Sequence, residues 1–161
     1  MAIHYPVPGF KFVVSLSQSA KSGRDAIYDA SFQEVSGISV EVPTEDIQEG
    51  GENRFMYRLP QPVKYPNLVL KRGVVVTSSE FSNWINSTLE TGFAQPVRLR
   101  NIIVMLLGDL NQPLMSWTFE KAYPVKKEIS GFGADKNQLL VESMEFAYQK
   151  FEEVNLSKVK A

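Results

Sequence analysis

Apolar residues along this chain recur mostly at every second position, which is the spacing of strands. Phe10, Phe12, Val14 and Leu16 alternate with Lys11, Val13 and Ser15, predicting a first strand at 10–16, and a turn-rich stretch follows through Gly23. Residues 27–35 read as a second strand broken at Ser36-Gly37, and Ile38, Val40 and Val42 alternate again toward Pro43. Gly50-Gly51-Glu52-Asn53 supplies residues that accept positive φ between two extended segments. That predicts a hairpin loop, with 54–59 as its return arm. Pro60 and Pro62 punctuate, and 68–71 is a short apolar strand ended by Gly73.

One segment breaks the two-residue period. Phe81, Trp84, Ile85 and Leu89 fall at i, i+3, i+4 and i+8, which predicts a helix with Ser78 or Ser79 as N-cap and Gly92 as its stop. Strand spacing then returns. Residues 97–107 predict one long strand, a turn at 108–113 leads into 114–120 with Met115, Trp117 and Phe119 on one face, and 139–148 forms another long strand. The charged stretch 149–161 is expected to fray or to form a short helix. The reading is mainly β: a β-sandwich or barrel with at least seven strands and one packed helix. Sheets of this size have edges whose unpaired N–H and C=O groups must be closed, covered or paired with another subunit.

Composition narrows the chemistry. At 161 residues the chain has the length of one domain, taken as 1–161 with a core at about 6–151 and a charged tail at 152–161. A net charge of -1 argues against gripping a polyanion. With no cysteine and a single histidine, His4, thiolate chemistry, sulfur metal sites and two-histidine zinc sites are out of reach. The first residues lack the basic and apolar regions of a signal peptide, so synthesis in the cytoplasm without one is expected. The longest apolar run, 102–107, is far short of the ~20 residues of a membrane helix, so no membrane insertion by the chain itself is expected.

Isolated motifs carry little. Glu45, Asp46, Glu49 and Glu52 are hard-cation ligands in type, but their spacing does not match an EF-hand loop, and a solvated hairpin is the plainer reading. The run Gly131-Phe132-Gly133 lacks the rest of a phosphate-loop signature and reads as a turn. A serine triad would have to recruit His4. Trp84, Trp117 and Tyr123 have the chemistry to stack on bases or sugars, but the two tryptophans sit on patterned apolar faces that fit a core. The helix stripe could fit a partner groove, and packing over the chain's own sheet is preferred.

Charge order says more than net charge. Between Asp25 and Asn53 there are eight acids and no base; between Arg54 and Ser79 there are five bases, Arg54, Arg58, Lys64, Lys71 and Arg72, and no acid. Pairing across the hairpin explains this equally as well as head-to-tail docking of an acidic surface on a basic one. On the docking reading the interface residues are Glu45, Asp46, Glu49, Gly50, Gly51, Glu52, Asn53, Arg54, Arg58, Lys64, Lys71 and Arg72.

Five motifs in order resemble one family. They are Phe32-Gln33-Glu34-Val35-Ser36-Gly37, Glu49-Gly50-Gly51-Glu52-Asn53, the run from Lys64-Tyr65-Pro66-Asn67 to Lys71-Arg72-Gly73, Trp117-Thr118-Phe119 with Ala122-Tyr123-Pro124-Val125-Lys126, and Val141-Glu142-Ser143-Met144-Glu145-Phe146. Over roughly 6–151 the chain is similar to phage-type tail tube proteins. The resemblance implies a non-enzymatic subunit of the inner tube of a contractile phage tail or extracellular injection particle, with no catalytic residue, cofactor or metal. Such subunits form stacked hexameric rings whose strands join into one continuous β-barrel around a channel for DNA or effector protein. The implied partners are further copies of the chain, the contractile sheath, baseplate and spike hub proteins, and tube paralogues, with the 49–53 loop reaching an adjacent subunit or ring. A baseplate-proximal initiator or adaptor paralogue is the nearest alternative. A monomeric β-rich binding module is the alternative of another class, and an enzyme built on carboxylates is the weakest.

Overall fold

The computed structural model describes residues 11–17, 27–74, 79–92, 94–108, 110–130 and 140–156. His4 and the glycine run at 131–133 lie outside these residues. The strands are β1 (Lys11–Ser17), β2 (Ile27–Phe32), β3 (Glu34–Ser36), β4 (Thr44–Ile47), β5 (Tyr57–Pro60), β6 (Leu68–Gly73), β7 (Arg100–Leu107), β8 (Pro113–Ile129), β9 (Val141–Ala147) and β10 (Lys150–Asn155). The helix α1 (Glu80–Glu90) stands between β6 and β7. The mainly β architecture, with one α-helix among the described residues, is the one expected.

Eight strands share one antiparallel sheet, in the order β2-β1-β7-β8-β9-β6-β3 with β10 also on β8. Its two ends are consecutive in the chain: β2 and β3 are interrupted only at Gln33, whose N–H donates to the Lys71 carbonyl at 2.9 Å. One line of chain therefore pairs with β1 and then with β6, and the sheet curls on itself into a sandwich-like barrel. β8 does the same on the other side. Its first half lies between β7 and β10, and its second half pairs with β9. The changeover is at Lys121, which has φ 52° and donates its N–H to Asn101 Oδ1 at 3.0 Å. Arg100 opposes Ala122 and Ile102 opposes Phe119, so β8 carries one extra residue there, a bulge that bends it from one layer to the other.

Inward positions alternate along β6 and β9, whereas in β1 Ser15 and Ser17 are buried together with Val14 and Leu16. Val14, Leu16, Ile102, Val104, Phe119, Leu70 and Phe146 are fully or almost fully buried. α1 closes the core: Ser79 caps it by accepting from the Ser82 N–H at 3.1 Å, and Phe81, Trp84 and Ile85 are buried. Trp84 stacks on Phe146 with ring centroids 5.8 Å apart, and Gly92, at φ 52°, follows the last turn. Under the helix lies a buried ion network. Arg72 Nε meets Glu142 Oε2 at 3.0 Å, Arg72 Nη2 donates to Ser82 Oγ at 2.8 Å, and Lys127 Nζ reaches Glu142 Oε1 at 3.0 Å and Asn86 Oδ1 at 2.9 Å. These bonds tie α1 to β6, β8 and β9.

Four expectations are corrected. Residues 38–42 form no strand; only Glu41 pairs, with Lys64. Gly37 turns the chain off the sheet at φ 85°, with Asn67 so close that a Cβ at Gly37 would stand 2.0 Å from its carbonyl oxygen. The strand predicted at 97–107 starts only at Arg100, because the Arg98 carbonyl accepts from Trp84 Nε1 at 2.8 Å. β8 runs well past 120, through Pro124, where among the described residues it has a strand on one side only and a missing N–H is tolerated. The tail does not fray or coil at 150–155 but pairs with β8 as β10, Phe151 opposite Phe119 and Glu153 opposite Trp117.

Candidate assembly interface

Between Glu41 and Lys64 the chain leaves the body as an arm. Backbone bonds Glu41 N–H to Lys64 O at 3.1 Å, Lys64 N–H to Glu41 O at 2.8 Å and Gln61 N–H to Pro43 O at 2.7 Å close its root. Beyond them β4 and β5 pair only with each other, Thr44 opposite Pro60, Glu45 opposite Leu59, Asp46 opposite Arg58 and Ile47 opposite Tyr57. Gly51, at φ 103°, supplies the turn the glycine pair predicted. The return strand begins at Tyr57 rather than at 54.

Directly opposed residues share a face, so the arm has two different sides. One carries Ile47, Tyr57 and Leu59, which are 40%, 46% and 46% exposed, with the Phe55 ring, 51% exposed, edge-on to Tyr57 at 5.3 Å, and with Glu45 at its root end opposite Leu59. The other carries Thr44, Asp46 and Arg58, with Arg58 Nη2 on Thr44 Oγ1 at 3.1 Å and Arg58 Nε on Asp46 Oδ1 at 3.4 Å. An isolated two-stranded ribbon is marginal in water. This one keeps a largely apolar face that no sheet of the described residues covers.

The charged residues singled out from the sequence divide between arm and body. Arg54 forks onto Glu52, Nε to Oε1 at 2.9 Å and Nη2 to Oε2 at 3.0 Å, while its own N–H also donates to Glu52 Oε1. These bonds hold the Glu52 carboxyl below its ordinary pKa and the guanidinium above its own. Glu45 accepts from Gln61 Nε2, and Glu49, Gly50 and Asn53 are exposed at the tip. Lys64 sits at the root. Lys71 is on the body, paired with Glu34 at 2.8 Å. Arg72, expected on a docking surface, is instead 2% exposed, and its charge is spent inside on Glu142 and over the rings of Phe32 and Phe81. Three of the five bases thus pair with acids of the preceding segment, Arg54 with Glu52, Arg58 with Asp46 and Lys71 with Glu34. The apolar face of Ile47, Phe55, Tyr57 and Leu59 was missed from the sequence, although Tyr57 and Leu59 carry the two-residue spacing.

Two stretches of sheet edge add to the unpaired surface. Among the described residues β10 pairs on one side only, with β8, and β8 beyond Ala122 pairs on one side only, with β9.

The model of the family described as T4-like virus tail tube protein gp19 matches residues 8–152. The chain belongs to the T4-like virus tail tube protein family. The resemblance read from the five motifs is thereby borne out. A chain in the cryo-EM structure of the anti-feeding prophage baseplate, 6-fold symmetrised, is 27% identical, with 96% of this chain and 99% of that one covered at a TM-score of 0.81. A chain in the sheath–tube complex of an extracellular contractile injection system in its extended state is 25% identical, over 96% and 95%, with a TM-score of 0.74. Hcp1 from Salmonella typhimurium, 11% identical over 92% and 88% at 0.52, shares the fold alone. No curated protein matches the chain. This tail tube protein is a structural component of the contractile-tail type, and among the described residues no helix is long and apolar enough to cross a membrane.

Proposed function

We propose that this tail tube protein is the repeating subunit of the inner tube of a contractile phage tail or injection particle, forming stacked hexameric rings in which the β4–β5 arm carries contacts between copies. The observation that carries this reading is the uncovered apolar face of the arm in a chain of the tail tube family. Open edges on β10 and on the second half of β8 support it, because ring closure would pair them and extend the sheet from copy to copy. Glu45, Asp46, Glu49, Gly50, Gly51, Glu52, Asn53, Arg54 and Arg58 travel with the arm. Their ion pairs are exposed and individually weak, so they are free to exchange partners on docking.

The work is mechanical rather than catalytic. A contracting sheath drives the rigid tube through a target envelope, and DNA or effector protein occupies the lumen. Sheath, baseplate and spike hub proteins and tube paralogues are its proposed neighbours, and it is made in the cytoplasm for incorporation into the particle. The likeness to a chain of a baseplate structure, with a TM-score of 0.81, favours a second reading as a baseplate-proximal paralogue.

Light scattering behind size exclusion, with negative-stain microscopy of the same sample, tests both. Rings that stack into long tubes are the expected result for the bulk tube, and isolated rings are expected for the paralogue. A protein that stays monomeric at high concentration and varied salt overturns the assembly reading.

A further inference from the structure

The body has a second uncovered apolar surface. Where β7 stops pairing with β8, at Arg100 opposite Ala122, a groove of about 250 Å³ opens between the last turns of α1 and the β8 edge. Leu89, Val97, Tyr123, Pro124 and Val125 line it. Leu89 was expected on the buried stripe of the helix, yet it is 36% exposed, and Tyr123 and Val125 are 37% and 40% exposed. A polar cleft joins the groove through Thr88 and Val97 and contains Arg98, which has no carboxylate partner among the described residues.

We propose that this groove receives the apolar face of the β4–β5 arm of a second copy of the chain, an assignment that rests on the arm being the contact between copies. Three observations fit a β-ribbon of this composition. The groove is apolar, and its floor is a strand edge that is open among the described residues but interrupted at Pro124, which has no N–H, so apolar packing of side chains rather than continuation of the ladder seats the ribbon. The arm is made of β4 and β5, which pair only with each other among the described residues, and presents Ile47, Phe55, Tyr57 and Leu59 on one side, with Glu45 at its root end. The charges are complementary: among the described residues Glu49 at the arm tip has no side-chain partner and Arg98 beside the groove has no carboxylate partner. Arm and groove are different surfaces of one chain, so the contact is head-to-tail and repeats around a ring or along a stack.

The chain has no cysteine, so paired cysteines can be introduced without background. Assembled full-length protein carrying Phe55→Cys and Val97→Cys is expected to give, on oxidation, a ladder of covalent oligomers on a non-reducing gel. Phe55→Cys combined with Ser116→Cys, near the start of β8 and outside the groove lining, is expected to give none. Leu89→Glu should raise the concentration needed for assembly about tenfold or more with an unchanged circular dichroism spectrum. Glu49→Arg should weaken assembly, and adding Arg98→Glu should restore it. A photo-crosslinker at position 55 that labels another copy at a site away from the groove overturns the groove and leaves the arm reading standing. Assembly that is unchanged when Ile47, Tyr57 and Leu59 are all serine overturns both.

Discussion

The body and the arm use the same antiparallel ladder and the same two-residue alternation, but only the body has a second layer. Along β9, Glu142, Met144 and Phe146 point inward and are buried beneath α1. Along β5, Tyr57 and Leu59 alternate with Arg58 in the same way and remain nearly half exposed. Backbone pairing alone therefore makes a ribbon, and burial of its apolar side makes a fold. The body does this within one copy. In the proposed assembly the arm uses another, so the two regions should answer oppositely to mutation.

Phe146→Ala removes a fully buried ring that stacks on Trp84 and touches Phe81. It should cost the body about 3–5 kcal/mol in urea unfolding, with assembly lost as a consequence. Next comes Glu142→Ala, which leaves Arg72 and Lys127 without the carboxylate between them. A loss of about 3 kcal/mol is expected, and Glu142→Leu should recover little because the two cations stay in place. If either change proves harmless, the body is not the closed unit described.

The arm should behave in reverse. Replacing Ile47, Tyr57 and Leu59 by serine should leave the body's unfolding free energy within about 0.5 kcal/mol of the parent while association disappears in light scattering. A large loss of monomer stability would show that the arm belongs to the body and would end the contrast.

The smallest effect concerns the arm tip. Arg54 lowers the Glu52 pKa, so the pair contributes fully above the ordinary carboxylate range and is lost as pH falls through the lowered value. NMR titration of the Glu52 carboxyl should show its midpoint rising in Arg54→Gln, and the body's dispersion should not change across that step. A midpoint unmoved by the substitution would mean that the fork does not persist in solution.

Legibility followed the same division. Helix α1, its Ser79 cap and the alternation along β9 could be read because each depends on neighbours a few residues away or on one buried face. The tail tube motifs were legible over nearly the whole chain. The return of 150–155 to β8 was not, because Lys150-Phe151-Glu152-Glu153 looks like a solvated tail until Phe151 meets Phe119 and Trp117 donates to Glu153 at 3.0 Å. The charge blocks misled at Arg72, whose acid partner lies seventy residues away at Glu142. Neither could the count of bases and acids reveal that the arm's unmet demand is apolar.

By itself, the sequence determined the strand-rich character, the single capped helix, the glycine turn of the arm and the family, since local periodicity and short motifs carry all of these. Tertiary structure decided where the sheet closes, through Gln33 and the Lys121 bulge, and which charges are interior. It also decided that one ribbon is left with an exposed, largely apolar face and that, among the described residues, β8 ends in an open strand edge. Those outcomes rest on pairings between segments far apart in the chain, and the energy of such a pairing depends on what lies on its other side.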